Sequence, residues 1–532
     1  MLKKEILLPL LILFIFFALQ YNNFQKYTQS FHFGDESEHL TPAWMMVYYN
    51  SKLYKDITTN HQPLPILTSV LFLKVNKYQN PFMFVERLRQ FMFLISFLGA
   101  LILVLKFRLV GLATVILIET NKFYLLGYHL LAESIVLYPV MLIVGITITH
   151  LLNNQQKNSN INQNFEVLLF GLSTFWIAFN LLPAWPFLVI ANLIYLHYLK
   201  KNKQLLLIFF IILPTLLLFA ILNFKDWYHF AILDNIKYFI PSDTQANSWQ
   251  SYLSILLYPV KNIINPNFLI SKLLLVIIFA LIITKALSYI SKVKNKSTLF
   301  FKFLLLYLLL VLLNLRVSKI DVGFYTAFHT LPLRGALTIT MVILFANSIR
   351  LFKASFIKKL VFLSLSTLLF FTVLFFNTIW WRENVNKTNE HFLQYGNIES
   401  LGTALNVLKQ KDDKLLTGEL EGFLNIFAGI PTAGRQNAYL DWSFQSKESR
   451  DYLINLMASN PPTFIYFPPE GPYFNLLTPY LKNSYTQLQK DNGSKINAYI
   501  LTSQINNRTT QQWKDYENLD YKIPDQAFYN NN

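Results

Sequence analysis

The residues best suited to chemistry in this chain form a short acidic cluster, Asp35-Glu36-Ser37-Glu38-His39. The cluster follows a single hydrophobic segment in a protein with few carboxylates. A carboxylate at the boundary between water and lipid can act as a general base when it reaches a hydroxyl group. It can also hold a divalent cation or accept a hydrogen bond from a sugar. The structural alternative is a helix start, in which Asp35 caps the helix while Glu36 and Glu38 favour the positive end of its dipole.

A second acid, Glu133, stands at the predicted start of another hydrophobic helix. An ionisable residue at the end of a membrane helix is a candidate functional residue, and a snorkelling or capping acid is the alternative. Cationic residues on the same predicted face can pair with phosphate oxygens or simply anchor to lipid headgroups. These residues are His61, Arg87, Arg89, Arg316, Lys319, His329 and Arg334.

Membrane helices are the elements that must position these side chains. The chain is 53% hydrophobic and only 14% charged, whereas soluble domains are nearer a quarter charged. Apolar runs of about 17–25 residues can cross a bilayer as helices. We predict about eleven crossings on this basis, at 5–20, 88–105, 109–126, 132–152, 165–182, 184–199, 204–222, 267–290, 298–315, 330–349 and 358–380.

The positive charges between these crossings predict an orientation. They fall on alternate sides of successive crossings, which indicates a cytoplasmic N-terminus and an outer C-terminus in the plasma (inner) membrane. No small-residue cleavage site follows Phe17-Ala18, so we interpret the first helix as an uncleaved anchor. The outer loops are then 21–87, 223–266, 316–329 and the tail after Trp381. In the first loop, 40–50 and 62–75 are typical of short helices lying along the interface.

The tail, 381–532, is richer in Asn, Gln, Thr and Pro and predicts a small extracytoplasmic α/β domain. Strand-like runs (Lys414–Thr417, Thr463–Phe467, Ala498–Thr502) alternate there with helical stretches (Glu448–Ala458, Phe474–Lys482). We therefore divide the chain into a membrane domain, 1–380, and this outer domain.

Several classes of site are excluded or disfavoured. The sequence has no cysteine, so it can form neither a disulfide nor a cysteine metal site. It has no phosphate-binding glycine loop and no HExxH motif, which argues against an ATP-driven pump and a zinc protease. The formal net charge of +17 lies largely in the predicted cytoplasmic loops, so we expect no nucleic-acid partner. No ligand spacing demands a metal, and a requirement for a divalent cation stays open.

The first outer loop resembles a known family. The stretch from Gly34 to Ala43, then Leu53-Tyr54-Lys55-Asp56, then His61-Gln62-Pro63-Leu64 is similar to that loop in the C-type-fold glycosyltransferases, which include the protein O-mannosyltransferases and the lipid A aminoarabinose transferase. Arg87-Leu88 stands where the family has an arginine opening the second crossing, Glu133 where it has a second acid, and His329–Pro332 resembles a late outer-loop segment. The chain departs from the family in having His61-Gln62-Pro63 where some relatives have Lys-Pro-Pro, and Glu133 where Asp is usual.

The resemblance implies a mainly α, polytopic membrane enzyme that transfers a sugar, with inversion, from a polyprenyl-phosphate carrier to a lipid, glycan or protein acceptor on the outer face. Asp35 would be the base, Glu36 and Glu133 accompanying acids, and His39, His61, Arg87, Arg316, Lys319, His329 and Arg334 would contact substrate or the departing phosphate. Preorganised charge of this kind stabilises the transition state. Two alternatives are a transporter or flippase of lipid-linked glycans, which predicts broken helices and internal repeats, and a non-catalytic scaffold presenting the tail.

Overall fold

The computed structural model describes residues 4–27, 34–76, 81–122, 126–152, 160–239, 296–313, 328–351, 398–418, 421–436 and 439–528. These residues belong to two compact units. The first unit comprises the described residues within Met1–Tyr27, Arg89–Leu218 and Thr244–Lys387. The second comprises those within Thr28–Leu88, Phe219–Asp243 and Thr388–Asn532.

Long apolar helices make up the first unit. Each predicted crossing that falls within the described residues coincides with one of them, whereas the predicted crossings 267–290 and 358–380 lie outside the described residues. The helices are α1 (Lys4–Tyr27), α4 (Pro81–Phe107), α5 (Leu109–Lys122), α6 (Ala132–Leu152), α7 (Asn160–Ala178), α8 (Trp185–Tyr198), α9 (Lys201–Ile221), α11 (Lys296–Leu312) and α12 (Leu331–Leu351). Helix α4 belongs to this unit from Arg89 onward, and α9 belongs to it up to Leu218.

Three helices in the described part of the chain are long and apolar enough to cross a membrane, namely Met83–Phe107, Ala132–Leu151 and Lys201–Ile221. Several shorter helices are also apolar, including Leu109–Thr120 and Phe328–Leu344. The total of about eleven crossings stays a prediction.

Helix α6 lies at the centre of the first unit. Its apolar span is 83% buried, whereas that of α9 is only 11% buried. Glycines let neighbouring helices approach it closely, as is common in membrane bundles. A Cβ on Gly335 of α12 would collide with Leu137 of α6, and one on Gly99 of α4 would collide with Tyr138. The residues of α6 are therefore held in a tightly packed setting.

The second unit begins with two predicted interfacial helices, α2 (Asp35–Tyr49) and α3 (Pro63–Val75), which pack against each other. Both predicted helices are present, with α2 starting earlier than expected. Helix α2 ends at Asn50 in the left-handed conformation (φ 53°), whose N–H bonds the Met45 carbonyl, a common helix terminus. Helix α3 begins with Pro63, because proline lacks only an N–H that the first turn leaves unbonded. A short α10 (Phe224–Trp227) continues into two π-helical stretches, Tyr228–Leu233 and Asn235–Phe239.

The C-terminal part of this unit is the small α/β fold that the sequence predicts. Strands β1 (Leu415–Thr417), β2 (Phe464–Tyr466), β3 (Tyr485–Lys490), β4 (Lys495–Leu501) and β5 (Tyr521–Lys522) form one sheet in the order β1-β2-β4-β3-β5. Only β1 and β2 pair in parallel, with Leu415 opposite Phe464. The helices are α13 (398–408), α14 (Phe423–Ala428), α15 (Lys447–Ser459), α16 (Pro472–Ser484) and α17 (Thr510–Glu517).

The core of this fold lies between the sheet and helices α15 and α16. Leu416 and Ile465 of the sheet are buried with Leu453 of α15 and Leu477 of α16. This packing fixes the start of α15, where the Ser446 hydroxyl caps the helix by accepting a bond from the Ser449 N–H.

Candidate functional site

The acidic cluster forms the first turn of α2. Asp35 is the first helical residue and follows Gly34, which has no side chain to cap with; the structural alternative that Asp35 is the cap is therefore wrong. The carboxylates of Asp35, Glu36 and Glu38 all lie near the positive end of the helix dipole, which stabilises them. Asp35 is partly exposed, whereas Glu36 is fully buried. Of the cluster's carboxylates, Asp35 is thus the one with most access to a substrate.

His61 is held directly against the acidic turn. Its Nε2 bonds the Glu38 carboxylate, and its ring meets the His39 ring edge to face at a centroid distance of 4.5 Å. Because a carboxylate accepts hydrogen bonds, Nε2 carries the proton in this pair. The predicted substrate-binding residues His39 and His61 therefore lie together, and the most direct role of His61 is to orient Glu38.

The Leu53-Tyr54-Lys55-Asp56 motif builds a tight turn that positions His61. Tyr54 is fully buried with a positive φ of 65°, and its hydroxyl bonds the His61 carbonyl at 2.7 Å. Asp56 closes the turn by accepting a bond from the Lys52 N–H at 2.8 Å. Burial raises the pKa of Tyr54 well above its ordinary value, so its hydroxyl stays a donor. The motif therefore holds the backbone of His61 in place within the loop.

Gln62 joins this loop to the π-helical segment. Its amide donates to the Ala231 carbonyl at 3.2 Å and accepts from the Trp227 indole at 3.3 Å. Asn235 adds a bond to the Asn60 carbonyl at 2.6 Å. The two bonds of Gln62 are buried, so losing them would be costly. Sequence reasoning missed Gln62, although its place directly after His61 was a signal.

The segment 421–436 packs against α2 and the loop that follows it. A Cβ on Gly422 would collide with the Thr41 side chain, so glycine permits this close approach. Tyr49 at the end of α2 donates to the Gly429 carbonyl at 3.0 Å, and the Thr58 N–H donates to the Arg435 carbonyl at 2.6 Å. The residues near the acidic turn are therefore supported by the C-terminal fold.

In the first unit, Glu133 and His329 form a second acid–histidine pair. Glu133 lies in the first turn of α6, and His329 Nδ1 donates to its Oε1 at 2.9 Å. Both side chains are nearly buried, with 4% of Glu133 and 11% of His329 exposed. Arg334 lies one turn into α12, where its Nε donates to the Thr330 hydroxyl at 3.0 Å. Two residues that the sequence places 196 positions apart are therefore in contact.

The remaining predicted residues are placed as follows. Arg87 lies in the N-terminal part of α4, in the second unit with Asp35, Glu36, His39 and His61, whereas Arg89 is buried in the first unit. Arg316 and Lys319 lie outside the described residues. Within the described ranges, no group of three or more acidic and histidine side chains is close enough to hold a metal ion.

A buried ion pair in α5 escaped the sequence reasoning. Lys122 Nζ lies 3.4 Å from Glu119 Oε1, and both side chains are fully buried. Glu119 also accepts from the hydroxyls of Tyr128 and Tyr138, the latter at 2.6 Å. The signal was a Glu and a Lys three residues apart in an apolar helix, a spacing that places them on one face.

The comparisons with known proteins concern the fold. No protein-family model and no curated protein matches the chain in sequence. The crystal structure of ArnT from Cupriavidus metallidurans bound to undecaprenyl phosphate matches 94% of this chain and 98% of its own, with 12% identity and a TM-score of 0.51. The same protein in the apo state matches 87% of this chain and 92% of its own, with 12% identity and a TM-score of 0.49. The chain therefore has the fold of the aminoarabinose transferase ArnT, a C-type glycosyltransferase fold, as its first outer loop predicts.

Proposed function

We propose that this protein is an integral inner-membrane glycosyltransferase that moves a sugar from a polyprenyl-phosphate carrier to an acceptor on the outer face. The observation that carries the proposal is the acidic first turn of α2, held by His61, in a chain with the fold of an ArnT structure bound to undecaprenyl phosphate. The apolar helices suit a donor whose tail stays in lipid.

Asp35 is the general base in this proposal. The acceptor hydroxyl attacks C1 of the donor sugar, its proton passes to the Asp35 carboxylate, and the bond from C1 to the phosphate oxygen breaks. The polyprenyl phosphate leaves with the electron pair of that bond. A single displacement inverts the configuration at C1. Asp35 suits the role because it is the most exposed carboxylate of the turn, and a base must reach the hydroxyl that it deprotonates.

The other residues support this step. Glu36 and Glu38 are buried behind Asp35 in the turn, so we assign them to shaping the acceptor side of the site. Cations such as Arg316 or His329 would steady the departing phosphate, and Glu133, the second acid, would orient the His329 ring through its bond to Nδ1. Charge that is already in place costs no reorganisation during the reaction, which is why such groups accelerate it.

The test is transfer by purified protein in lipid nanodiscs. Radiolabelled undecaprenyl-phosphate sugars are supplied with membrane lipid, glycan and peptide acceptors, and wild type is compared with Asp35→Asn. We expect transfer by wild type and a loss of about 10²-fold or more in the variant. Asp451→Asn is the matched control, because Asp451 is a half-exposed carboxylate on α15 that pairs with Lys447. The absence of transfer from any donor, or equal transfer by Asp35→Asn, would overturn the proposal.

A further inference from the structure

A buried polar network in the first unit joins the end of α5 to α6. Glu119, in the last turn of α5, accepts hydrogen bonds from the hydroxyl of Tyr138 at 2.6 Å and from that of Tyr128. Lys122 Nζ lies 3.4 Å from Glu119 Oε1 and donates to the Ser96 hydroxyl of α4. All five residues are buried. The proposed reaction uses none of them, so the network requires an explanation of its own.

The two tyrosines lie on either side of Glu133 in the chain. Tyr128 stands five residues before Glu133, in the turn that precedes α6, and Tyr138 stands five residues after it, within α6. A carboxylate has acceptor sites for more than one donor, and Glu119 uses its two oxygens for the two hydroxyls. One group on α5 therefore holds the chain both before and after Glu133.

The turn before α6 packs tightly over Lys122. The Gly127 N–H donates to the Lys122 carbonyl at 3.0 Å, and a Cβ on Gly127 would collide with the Lys122 side chain, so glycine permits this approach. Lys122 Nζ lies 4.5 Å from the centre of the Tyr128 ring, a cation–π contact. The carbonyl of Leu126 accepts a bond from the Ser134 hydroxyl at 3.5 Å. The turn is thereby fastened to both α5 and α6.

The ion pair makes this arrangement strict. Replacing a buried pair by apolar residues is often neutral, whereas removing one partner is strongly destabilising. Any movement that separates Glu119 from Lys122 would leave a buried charge unpaired, so the pair contributes a fixed geometry. Ionisable residues within membrane helices are candidate functional residues. The end of α5 is thus a rigid anchor for the start of α6.

This anchor lies behind the Glu133–His329 pair. Glu133 lies in the first turn of α6, and its Oε1 accepts a bond from His329 Nδ1 at 2.9 Å. A displacement of the start of α6 would move the Glu133 carboxylate relative to the His329 ring. A displacement of about 1 Å that originates far from the reacting atoms can lower a rate by roughly 10²-fold.

We propose that the Glu119–Lys122 network positions Glu133, and through it His329, for sugar transfer. The inference rests on the proposed function, in which Glu133 orients the His329 ring and His329 steadies the departing phosphate. Glu119, Tyr128 and Tyr138 are positioning residues, because they are buried and act through Glu133.

The first experiment observes the His329 ring without any substrate. Full-length protein with ¹⁵N-labelled histidine is measured by solid-state NMR in lipid bilayers, and His329→Gln identifies the signals of His329. The chemical shift of Nδ1 reports its hydrogen bond to Glu133. We expect Tyr138→Phe, which removes only a hydroxyl, to move this signal in the same direction as Glu133→Gln does. An unchanged signal in Tyr138→Phe overturns the inference.

Tyr195→Phe is the matched control. The buried Tyr195 of α8 donates to Glu166 of α7 at 3.1 Å, and Glu166 is likewise paired with a lysine, Lys106. This variant also breaks a tyrosine–glutamate bond in the first unit, but far along the chain from Glu133. We expect a similar decrease in thermal stability and an unchanged His329 signal. Equal movement of the signal in both variants would show a general effect of lost packing and overturn the inference.

The second experiment measures transfer from a labelled undecaprenyl-phosphate sugar. We expect Tyr138→Phe to lower kcat about tenfold with an unchanged KM for the donor, and Tyr195→Phe to leave kcat unchanged. In a Glu133→Gln background, Tyr138→Phe should change kcat by less than about twofold, because the residue that it positions is already lost. A full tenfold loss in that background would show that Tyr138 acts independently of Glu133 and overturn the inference.

The outcomes separate this inference from the proposed function. If wild type transfers a sugar and Tyr138→Phe retains its kcat, the positioning role is wrong and the proposed function stands. If wild type transfers nothing from any donor, the proposed function is wrong, and the His329 signal still decides whether the network holds Glu133 in place. Thermal unfolding checks that each variant is folded. Tyr128→Phe repeats both measurements from the other side of Glu133, with the same expected results.

Discussion

Glu38 and His61 stand 23 residues apart in the sequence and are bonded through His61 Nε2. Only 9% of the Glu38 side chain and 21% of the His61 side chain are exposed. The bond ties the first turn of α2 to the loop that the buried Tyr54 supports. The acidic cluster is thus one part of a connected network, in which the loop holds the turn in place.

The Glu38–His61 pair should show strong energetic coupling. His61→Gln removes the imidazole bond to the buried Glu38 carboxylate, and we expect a loss of about 1–3 kcal/mol in stability with a decrease in transfer. The measurement is a double-mutant cycle of Glu38→Gln and His61→Gln, read by unfolding in detergent. We expect a coupling energy of about 1 kcal/mol or more.

The control for this cycle is the Lys447–Asp451 pair on α15, whose side chains are 82% and 49% exposed. An exposed pair at this spacing contributes only about 0.3–0.5 kcal/mol. Equal coupling in the two cycles would contradict a special role for the Glu38–His61 bond.

The Glu133–His329 pair should act as a unit in transfer. Since the hydrogen bond from His329 Nδ1 fixes the orientation of the ring, Glu133→Gln and His329→Gln should each lower kcat by roughly 10²-fold. The double variant should lose little more than either single one. Single-turnover transfer measures the effect, and His197→Gln, an exposed histidine of α8, is the control. Fully additive losses would show that the two residues act separately.

Asp234 should make the second unit less stable as the pH rises. Burial raises the pKa of Asp234 to about 6 from 3.8, helped by Glu448 and opposed by the charges of His229 and Lys237. The folded state therefore binds more protons than the unfolded state between about pH 4 and pH 6, and stability decreases through that window. Because the group is partly exposed, we expect a cost of only about 1 kcal/mol above pH 6.

Asp234→Asn tests this linkage. The variant should be more stable than wild type at pH 7.5, and the gain should vanish near pH 4. Thermal unfolding across this pH range measures the difference, with Asp451→Asn as the control. A gain that is independent of pH would contradict the assignment to ionisation of Asp234.

The extent of sequence prediction differs between elements for physical reasons. Apolar runs predict membrane helices well, because the backbone must bond to itself in lipid, and α4, α6 and α9 lie where hydropathy places them. Strand β3 escaped prediction because only Tyr485 and Leu488 are buried in an otherwise polar run. The sequence allows Asp35 as a cap, whereas Asp35 is the first helical residue, because composition does not fix a helix start to within one residue.

Contacts between residues far apart in the chain could not be predicted, for a different reason. No spacing rule relates Gln62 to Trp227 or Glu38 to His61, since these contacts depend on how the chain folds back on itself. The contact between Glu119 and Lys122 could have been predicted, because their spacing on one helix is a local signal. The sequence could thus name candidate residues for the site, whereas it could not predict the bonds that hold them.

The Glu119–Lys122 pair should be essential for the stability of the first unit. Lys122→Met leaves a buried carboxylate without its cation, and we expect a loss of about 3–5 kcal/mol. Pairing Lys122→Met with Glu119→Gln should recover part of that loss, because no charge then remains unpaired. Thermal inactivation in detergent measures both, with the exposed Lys201→Met as control. A double variant that is less stable than Lys122→Met would contradict this explanation.

The orientation of the chain can be tested directly, because the sequence has no cysteine. Asn492→Cys lies in the exposed turn between β3 and β4, and Asn202→Cys lies near the exposed start of α9. The positive-inside pattern places Asn492 outside and Asn202 inside. A membrane-impermeant maleimide should therefore label the first in intact cells and the second only after permeabilisation, with the unlabelled wild type as background. The reverse pattern would place the C-terminal fold in the cytoplasm, and sugar transfer on the outer face would then be ruled out, since the acidic turn belongs to the same unit as that fold.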